Sequence, residues 1–411
     1  MNKLIAALEK FERNGKEETP GTPHKLVSEM LDKLPSETWT NPSATFLDPS
    51  CSTGTFLLEI FSRLFEGLQW AIPDSQARAD HILTKQLWGC EPYKVPFLMT
   101  EASFRRGLNN KELYDKLNLF NVNLLDNPKE LKNMKFDVVV MNPPYQIKVG
   151  PKKTEPIWQK FVLLMMDEYL KDGGYISSIH PPGWRAPAGR FSKVKEKYLE
   201  NQFLSLAMNG YKKGKETFGV GTAYDVTLLK KNPTHSVQAT SISTEEGGNI
   251  VVDLSKMPFI PDGKFNEFLD LLPVDENVEV LYSRSAYGSD KDNTSFDKTA
   301  EYIHPCVYTI GKSGEPRFMY SSRNDKGHFG IPKVIWSNGG ATVPLVDAEG
   351  KYGMAQFSYA IADEPENLPK IKKALENEKF LELMSKVSFS SHKYNYKVIS
   401  CLKKDWWRKF Q

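Results

Sequence analysis

Through the first half of the chain, short apolar runs alternate with longer stretches of helical spacing, and each run ends in a polar or glycine-rich break. Phe46-Leu47-Asp48 ends the first strand, PSCSTG turns the chain, and TFLLEIFSRLFEGL follows as a helix. Further strands are expected at Gln86–Cys90, Leu119–Asn123, Asp137–Met141 and Tyr175–Ile179. Helices are expected at HKLVSEMLDKL, opened by Thr22-Pro23 with Thr22 as cap, at Trp70–Lys85, at Val95–Leu108 and at Pro156–Leu170 before Gly173-Gly174. An amphipathic helix, Leu4–Arg13, precedes them, and GVGTAYDVTLLKK, residues 219–231, closes the series as a hairpin. This alternation predicts an α/β doubly wound sheet, in which ligands bind beyond the carboxyl ends of the strands.

The grain changes after Asn232. Asn232–Gly248 is polar and linker-like, and from Ile250 onward the strands are short and scattered: VIWSNGG, PLVDAEGKYG and QFSYAI. A helix, Asn367–Lys386, precedes the final stretch. Two domains are therefore expected, residues 1–235 and residues 250–411, the second of α+β type.

Composition narrows the classes. With 411 residues, 40% of them hydrophobic, the chain suits an ordinary globular protein. No apolar run approaches a membrane span and no secretory core opens the chain, so a cytoplasmic location is expected. Cys51, Cys90, Cys306 and Cys401 lie far apart without a CxxC pair, so neither a metal site nor a disulfide is expected. Net charge is only +3, with 54 basic and 51 acidic residues, so a nucleic-acid partner has to be argued from distribution. Lys148, Lys152 and Lys153 lie in a loop after Gln146, and Arg190, Lys193, Lys195, Lys197, Lys212 and Lys213 accumulate further on. HKYNYKVISCLKKDWWRKF interleaves Lys403 and Lys404 with Tyr394, Tyr396, Trp406 and Trp407. Phosphate contact with base stacking would use that mixture, and so would a terminal helix that anchors its aromatics in the core.

The most specific chemistry lies in FDVVVMNPPY, Phe136–Tyr145. Two prolines end the strand, and the residue before each is held extended, so Asn142 and Pro143 form a rigid rack of acceptors beside an aromatic ring. A ring-attached amine has a delocalised lone pair. Acceptors that grip its hydrogens, the Asn142 side-chain oxygen and the Pro143 carbonyl, would draw it toward tetrahedral geometry. Tyr145 offers a face on which a base can stack. Asp48 and Glu91, 43 residues apart, place carboxylates at two strand tips, and Gly54 lets the backbone approach a ligand. A second proline-rich strand exit, HPPGWR, puts Trp184 or Arg185 at the border of a target pocket or else forms a structural loop.

Asn142-Pro143-Pro144-Tyr145, preceded by DPSCSTG, resembles the S-adenosylmethionine-dependent amino methyltransferases. The likeness is nearest to the DNA adenine-N6 group of type II restriction-modification systems, with the cofactor motif before the catalytic one. The resemblance implies a Rossmann-like doubly wound methyltransferase sheet with a C-terminal α+β target-recognition domain, and S-adenosylmethionine as cofactor. It assigns catalysis to Asn142, Pro143, Pro144 and Tyr145. Cofactor binding falls to Thr22, Asp48, Ser50, Gly54, Glu91, Asn142 and either Asn123 or Asp126. DNA contact falls to Tyr145, Trp184, Arg185, Lys403 and Lys404. The family usually has glycine where Ser52 stands, so Ser52 is expected to adopt an uncommon backbone angle or to alter the loop. Double-stranded DNA is the expected partner of a monomer, with a separate cognate restriction nuclease as a candidate. The alternatives are methylation of RNA, methylation of the cytosine N4 amine, or a binding module impaired in catalysis.

Overall fold

The computed structural model describes residues 21–108, 110–232, 239–245, 248–282, 293–311, 313–337, 343–387 and 395–411. The Leu4–Arg13 segment and Tyr394 lie outside the described residues. The chain forms two compact units. One comprises residues up to Trp184 together with Arg190–Lys256, and the other Arg185–Gly189 together with Met257–Gln411. Among the described residues no helix is long and apolar enough to cross a membrane.

The first unit is built on one sheet. Its strands are β1 (Phe46–Asp48), β2 (Leu87–Cys90), β3 (Asn118–Phe120), β4 (Phe136–Met141), β7 (Leu170–His180), β8 (Gln202–Asn209), β9 (Tyr224–Lys230), β10 (Ala239–Ser243) and β11 (Asn249–Asp253). A separate two-stranded ribbon, β5 (Gln146–Gly150) and β6 (Lys153–Pro156), follows β4. The sheet order is β11-β10-β8-β9-β7-β4-β1-β2-β3. From β3 to β7 all pairings are parallel, with Phe46 opposite both Leu87 and Val138, and Val139 opposite Ile176. β9 then runs against both of its neighbours. The chain winds outward in opposite directions from β1 and β4, so the crevice beyond their carboxyl ends is the topological switch point where such sheets bind ligands.

Burial explains the central strands. Val138, Val139, Val140 and Met141 are all enclosed, which a strand covered on both faces requires. The flanking helices include α1 (His24–Leu31), α2 (Thr55–Gly67), α3 (Ser75–His81) and α4 (Lys94–Gly107). Phe46, Leu57, Ile60 and Val138 share one core with Val27 and Met30 of α1.

Several expected elements differ. Residues 224–230 are a single strand rather than a hairpin, because β9 pairs on both sides and its two faces are buried. The polar stretch 232–248 contains β10, an additional parallel strand beside β8. Thr240 and Ile242 point into the fold, Thr240 Oγ1 donates to the Phe203 carbonyl at 2.8 Å, and the serines alternate outward. The Gln146–Glu155 loop is instead the β5–β6 ribbon.

Among the described residues the second unit holds two four-stranded sheets with short helices, in keeping with the expected α+β type. In one sheet, β12 (Lys333–Ser337) pairs with β13 (Leu345–Asp347) and β14 (Ser358–Ala362). Lys333 Nζ lies 2.8 Å from Asp347 Oδ2, and both side chains are buried. Desolvation holds the Lys333 ammonium below its ordinary range despite the carboxylate beside it. The expected helix 367–386 is two, Leu368–Glu376 and Glu378–Ser385, broken at Asn377, whose side chain caps the second through Lys379 N.

Candidate active site

β4 delivers Asn142 to the switch point, where its side-chain nitrogen donates to Thr22 Oγ1 at 3.0 Å across 120 residues of chain. Thr22 is buried, and α1, which begins at His24, has no side-chain cap bond. The expectation that Thr22 caps that helix is therefore corrected: its hydroxyl is turned to Asn142 instead. With Nδ2 committed to Thr22, Asn142 presents Oδ1 as its acceptor, the polarity needed to receive an amine hydrogen.

Pro143 is buried, and the Tyr145 carbonyl accepts from Ile157 N at 3.0 Å, which closes the base of the β5–β6 ribbon onto the motif. Desolvation raises the Tyr145 phenol well above its ordinary value, and Tyr224 and Asp225 add to the rise. The residue as a whole keeps some exposed surface while its hydroxyl end is sunk. A phenol in that setting stays protonated, so Tyr145 contributes a ring and not a base.

The tips of β1 and β2 carry the acids. Asp48 is buried and accepts from Ser50 N at 3.1 Å, and desolvation, with Glu91 adding repulsion, pushes its carboxyl up to about 8. Glu91 accepts from Ser52 N at 3.0 Å on one oxygen and from Tyr93 N at 2.8 Å on the other, so it grips the loop backbone. Ser52 has φ 47, the uncommon angle that the missing glycine predicts. Thr100 Oγ1 donates to the Ser52 carbonyl at 2.8 Å, and a Cβ on Gly54, at φ +87, would lie 2.9 Å from Thr100 Cγ2. The loop brings together the buried Asp48 carboxyl, repelled by Glu91, and the buried Ser50 Oγ, which has no hydrogen-bond partner among the described residues. A ligand such as S-adenosylmethionine, with its sulfonium, ammonium and ribose hydroxyls, fits that donor set.

Other expected site residues fall elsewhere. β3 ends at Phe120, so its tip is Asn121, whose amide donates to the Glu91 carbonyl at 2.7 Å. Asn123, expected in that slot, caps a short turn through Leu125 N, and Asp126 ends the same turn exposed to solvent. Asn121 was missed because the strand was read three residues too long.

Trp184 is buried against Tyr198 and Phe203, and its Nε1 donates to Asp225 at 2.8 Å. Arg185 is buried in the second unit and pairs with Asp262. Neither side chain offers surface to a base, and the structural-loop alternative describes both. Lys403 forms a backbone bridge with Asn277, and the exposed Lys404 pairs with Glu276 at 3.2 Å. Trp406 and Trp407 are core residues, and Tyr396 stacks on Tyr359 at 4.5 Å. His180 is buried, stacked on Trp158 with centroids 4.5 Å apart, and its Nε2 lies 2.7 Å from Tyr198 Oη.

Residues 73–213 match the Eco57I restriction-modification methylase family. The matched methylase segment runs from α3 through Glu91 and the Asn-Pro-Pro-Tyr motif to the start of the Tyr211–Phe218 helix. An uncharacterized adenine-specific methylase of Mycoplasma pneumoniae is 28% identical, over 44% of this chain and 59% of that protein. The type II restriction enzyme and methyltransferase RM.BcgI of Heyndrickxia coagulans is 26% identical, over 56% of this chain and 34% of that protein. The chain thus spans about 59% and 34% of the length of these curated relatives. Among solved structures, the ATP-dependent type ISP restriction-modification enzyme LlaBIII bound to DNA shares the fold. It has a TM-score of 0.52 at 12% identity, over 98% of this chain and 39% of that one.

Proposed function

We propose that the chain transfers a methyl group from S-adenosylmethionine to the exocyclic N6 amine of an adenine flipped out of double-stranded DNA. The observation that carries this reading is the Asn142 amide at the end of β4, whose nitrogen donates to Thr22 Oγ1 at 3.0 Å and so leaves its oxygen as the acceptor. The name of the Mycoplasma relative supports adenine as the base, and that of the family supports methyl transfer.

In this reading Asp48, Ser50 and Glu91, with the loop at Ser52 and Gly54, hold the cofactor, which supplies an electrophilic methyl group when bound. Asn142 Oδ1 and the Pro143 carbonyl accept the two amine hydrogens and turn the nitrogen lone pair toward the methyl donor. Those bonds tighten as positive charge builds on nitrogen, so they favour the transition state over the ground state. Tyr145 stacks on the base, worth about 1–3 kcal/mol, which offsets part of the cost of unstacking it. The proton leaves the amine after attack and passes to water, so no strong base is needed. The second unit is the proposed target-recognition domain, with Lys403 and Lys404 on phosphates. The name of RM.BcgI, which joins both activities, supports a cognate nuclease as the cellular counterpart.

Labelled-methyl transfer to DNA and to RNA, each followed by digestion to nucleosides, tests the reading. N6-methyladenine from DNA is expected. Label in the N4 amine of cytosine or only in RNA overturns the substrate assignment, and no label in either overturns the activity.

A further inference from the structure

The β5–β6 ribbon is not used by the chemistry above, yet it leaves the chain immediately after Tyr145 and returns to it through the Ile157 N bond at 3.0 Å. It forms a sheet of its own, with Ile147 opposite Glu155, Lys148 opposite Thr154, and a tight turn at Pro151-Lys152. An isolated two-stranded ribbon is only marginally stable in water, and this one spends no apolar side chain on a core of its own. Ile147 and Val149 are instead 40% and 44% exposed. Around them the segment 146–160 carries four lysines, Lys148, Lys152, Lys153 and Lys160, against the single acid Glu155. Glu155 is already 2.9 Å from Lys153, which with Arg190 and Lys160 holds its carboxyl below the ordinary range. A positive ribbon whose first strand carries half-exposed aliphatic side chains suits a partner that is an anionic rod with apolar layers inside. Duplex nucleic acid has that structure.

We infer that β5–β6 is the finger that enters the duplex beside the target, with Ile147 and Val149 against the bases next to the vacated position and the lysines on flanking phosphates. The inference rests on the methyl-transfer reading. At about 3.3 Å per residue the five residues of β5 extend roughly 15 Å from Tyr145, enough to cross a groove of about 12 Å. Aliphatic wedges of this kind hold open a step whose bases have been unstacked.

The test compares methyl transfer by the full chain on two duplexes that carry a target site mapped with the wild type. One is fully paired, and the other has an abasic position opposite the target adenine, which removes most of the cost of flipping. Ile147→Ser with Val149→Ser is expected to slow transfer roughly tenfold or more on the paired duplex and less than about threefold on the abasic one. S-adenosylmethionine affinity, read by calorimetry, is expected to stay unchanged, which also shows that the variant folds. Lys148→Gln with Lys152→Gln, at exposed positions, is expected to lower the salt dependence of duplex affinity by roughly one to two ions. Equal loss on both duplexes, or none on either, overturns the inference while the methyl-transfer reading stands. A wild type inert on genomic DNA overturns both.

Discussion

Thr22 Oγ1 accepts from the Asn142 amide nitrogen, and in the proposed reaction that leaves the amide oxygen for the substrate amine. Thr22→Val keeps the shape but strands the half-buried Asn142 donor, a penalty of about 1 kcal/mol. kcat should fall roughly tenfold or more with cofactor affinity little changed, and Thr22→Ser should retain most of the rate; steady-state kinetics on mapped DNA decides it. This bond was not legible in the sequence, where both residues were marked but lie 120 positions apart. Asp48 and Glu91 were legible, because a strand tip follows directly from the end of an apolar run. Asp48 also predicts a pH dependence. Its carboxyl, pushed up to about 8 by burial, is far above the unfolded value, so the protonated form stabilises the ligand-free fold at low pH. That stabilisation fades as pH rises toward 8, and a cationic ligand must displace the proton. S-adenosylmethionine should therefore bind with proton release between about pH 6 and 8, and Asp48→Asn should abolish the release, as calorimetry in buffers of different ionisation enthalpy would show. At Ser52, with φ 47, Ser52→Gly should be accepted without loss. Ser52→Val should cost about 1–2 kcal/mol in thermal denaturation, since a β-branched residue has no comfortable left-handed geometry.

Elements were legible in proportion to how fully they are buried. β1, β4 and β7 announced themselves as apolar runs because both faces of the sheet are covered. β10 did not, since only Thr240 and Ile242 turn inward within a serine-rich stretch. β5–β6 did not either, because an exposed ribbon has no core to impose alternation. HPPGWR left two readings open, a second pocket edge by analogy with the first or a structural loop. Its indole and guanidinium are instead held inside by Asp225 and Asp262, carboxylates distant in sequence. The second unit depends on another such contact, Lys333 with Asp347 on neighbouring strands. Lys333→Ala leaves a buried carboxylate and should cost about 3–5 kcal/mol. Lys333→Met combined with Asp347→Leu should cost far less, and chemical denaturation distinguishes the two.

Over the whole molecule, a net charge of +3 leaves phosphate binding to local clusters. Duplex affinity should fall with salt, and Lys403→Ala with Lys404→Ala should lessen that slope by roughly one to two ions if the second unit follows the backbone. The domain boundary was only partly legible. β10 and β11 extend the first sheet to Asp253 and the first unit runs to Lys256, while residues 185–189 belong with the second unit even though they lie within the first in sequence. What unites the account is the claim that the β4 tip is the catalytic centre, and Asn142→Ala tests it most directly. Single-turnover methyl transfer should collapse by a factor on the order of a hundred or more, while calorimetry shows S-adenosylmethionine bound with near-normal affinity. Transfer within a few-fold of wild type, at equal cofactor occupancy, would contradict it.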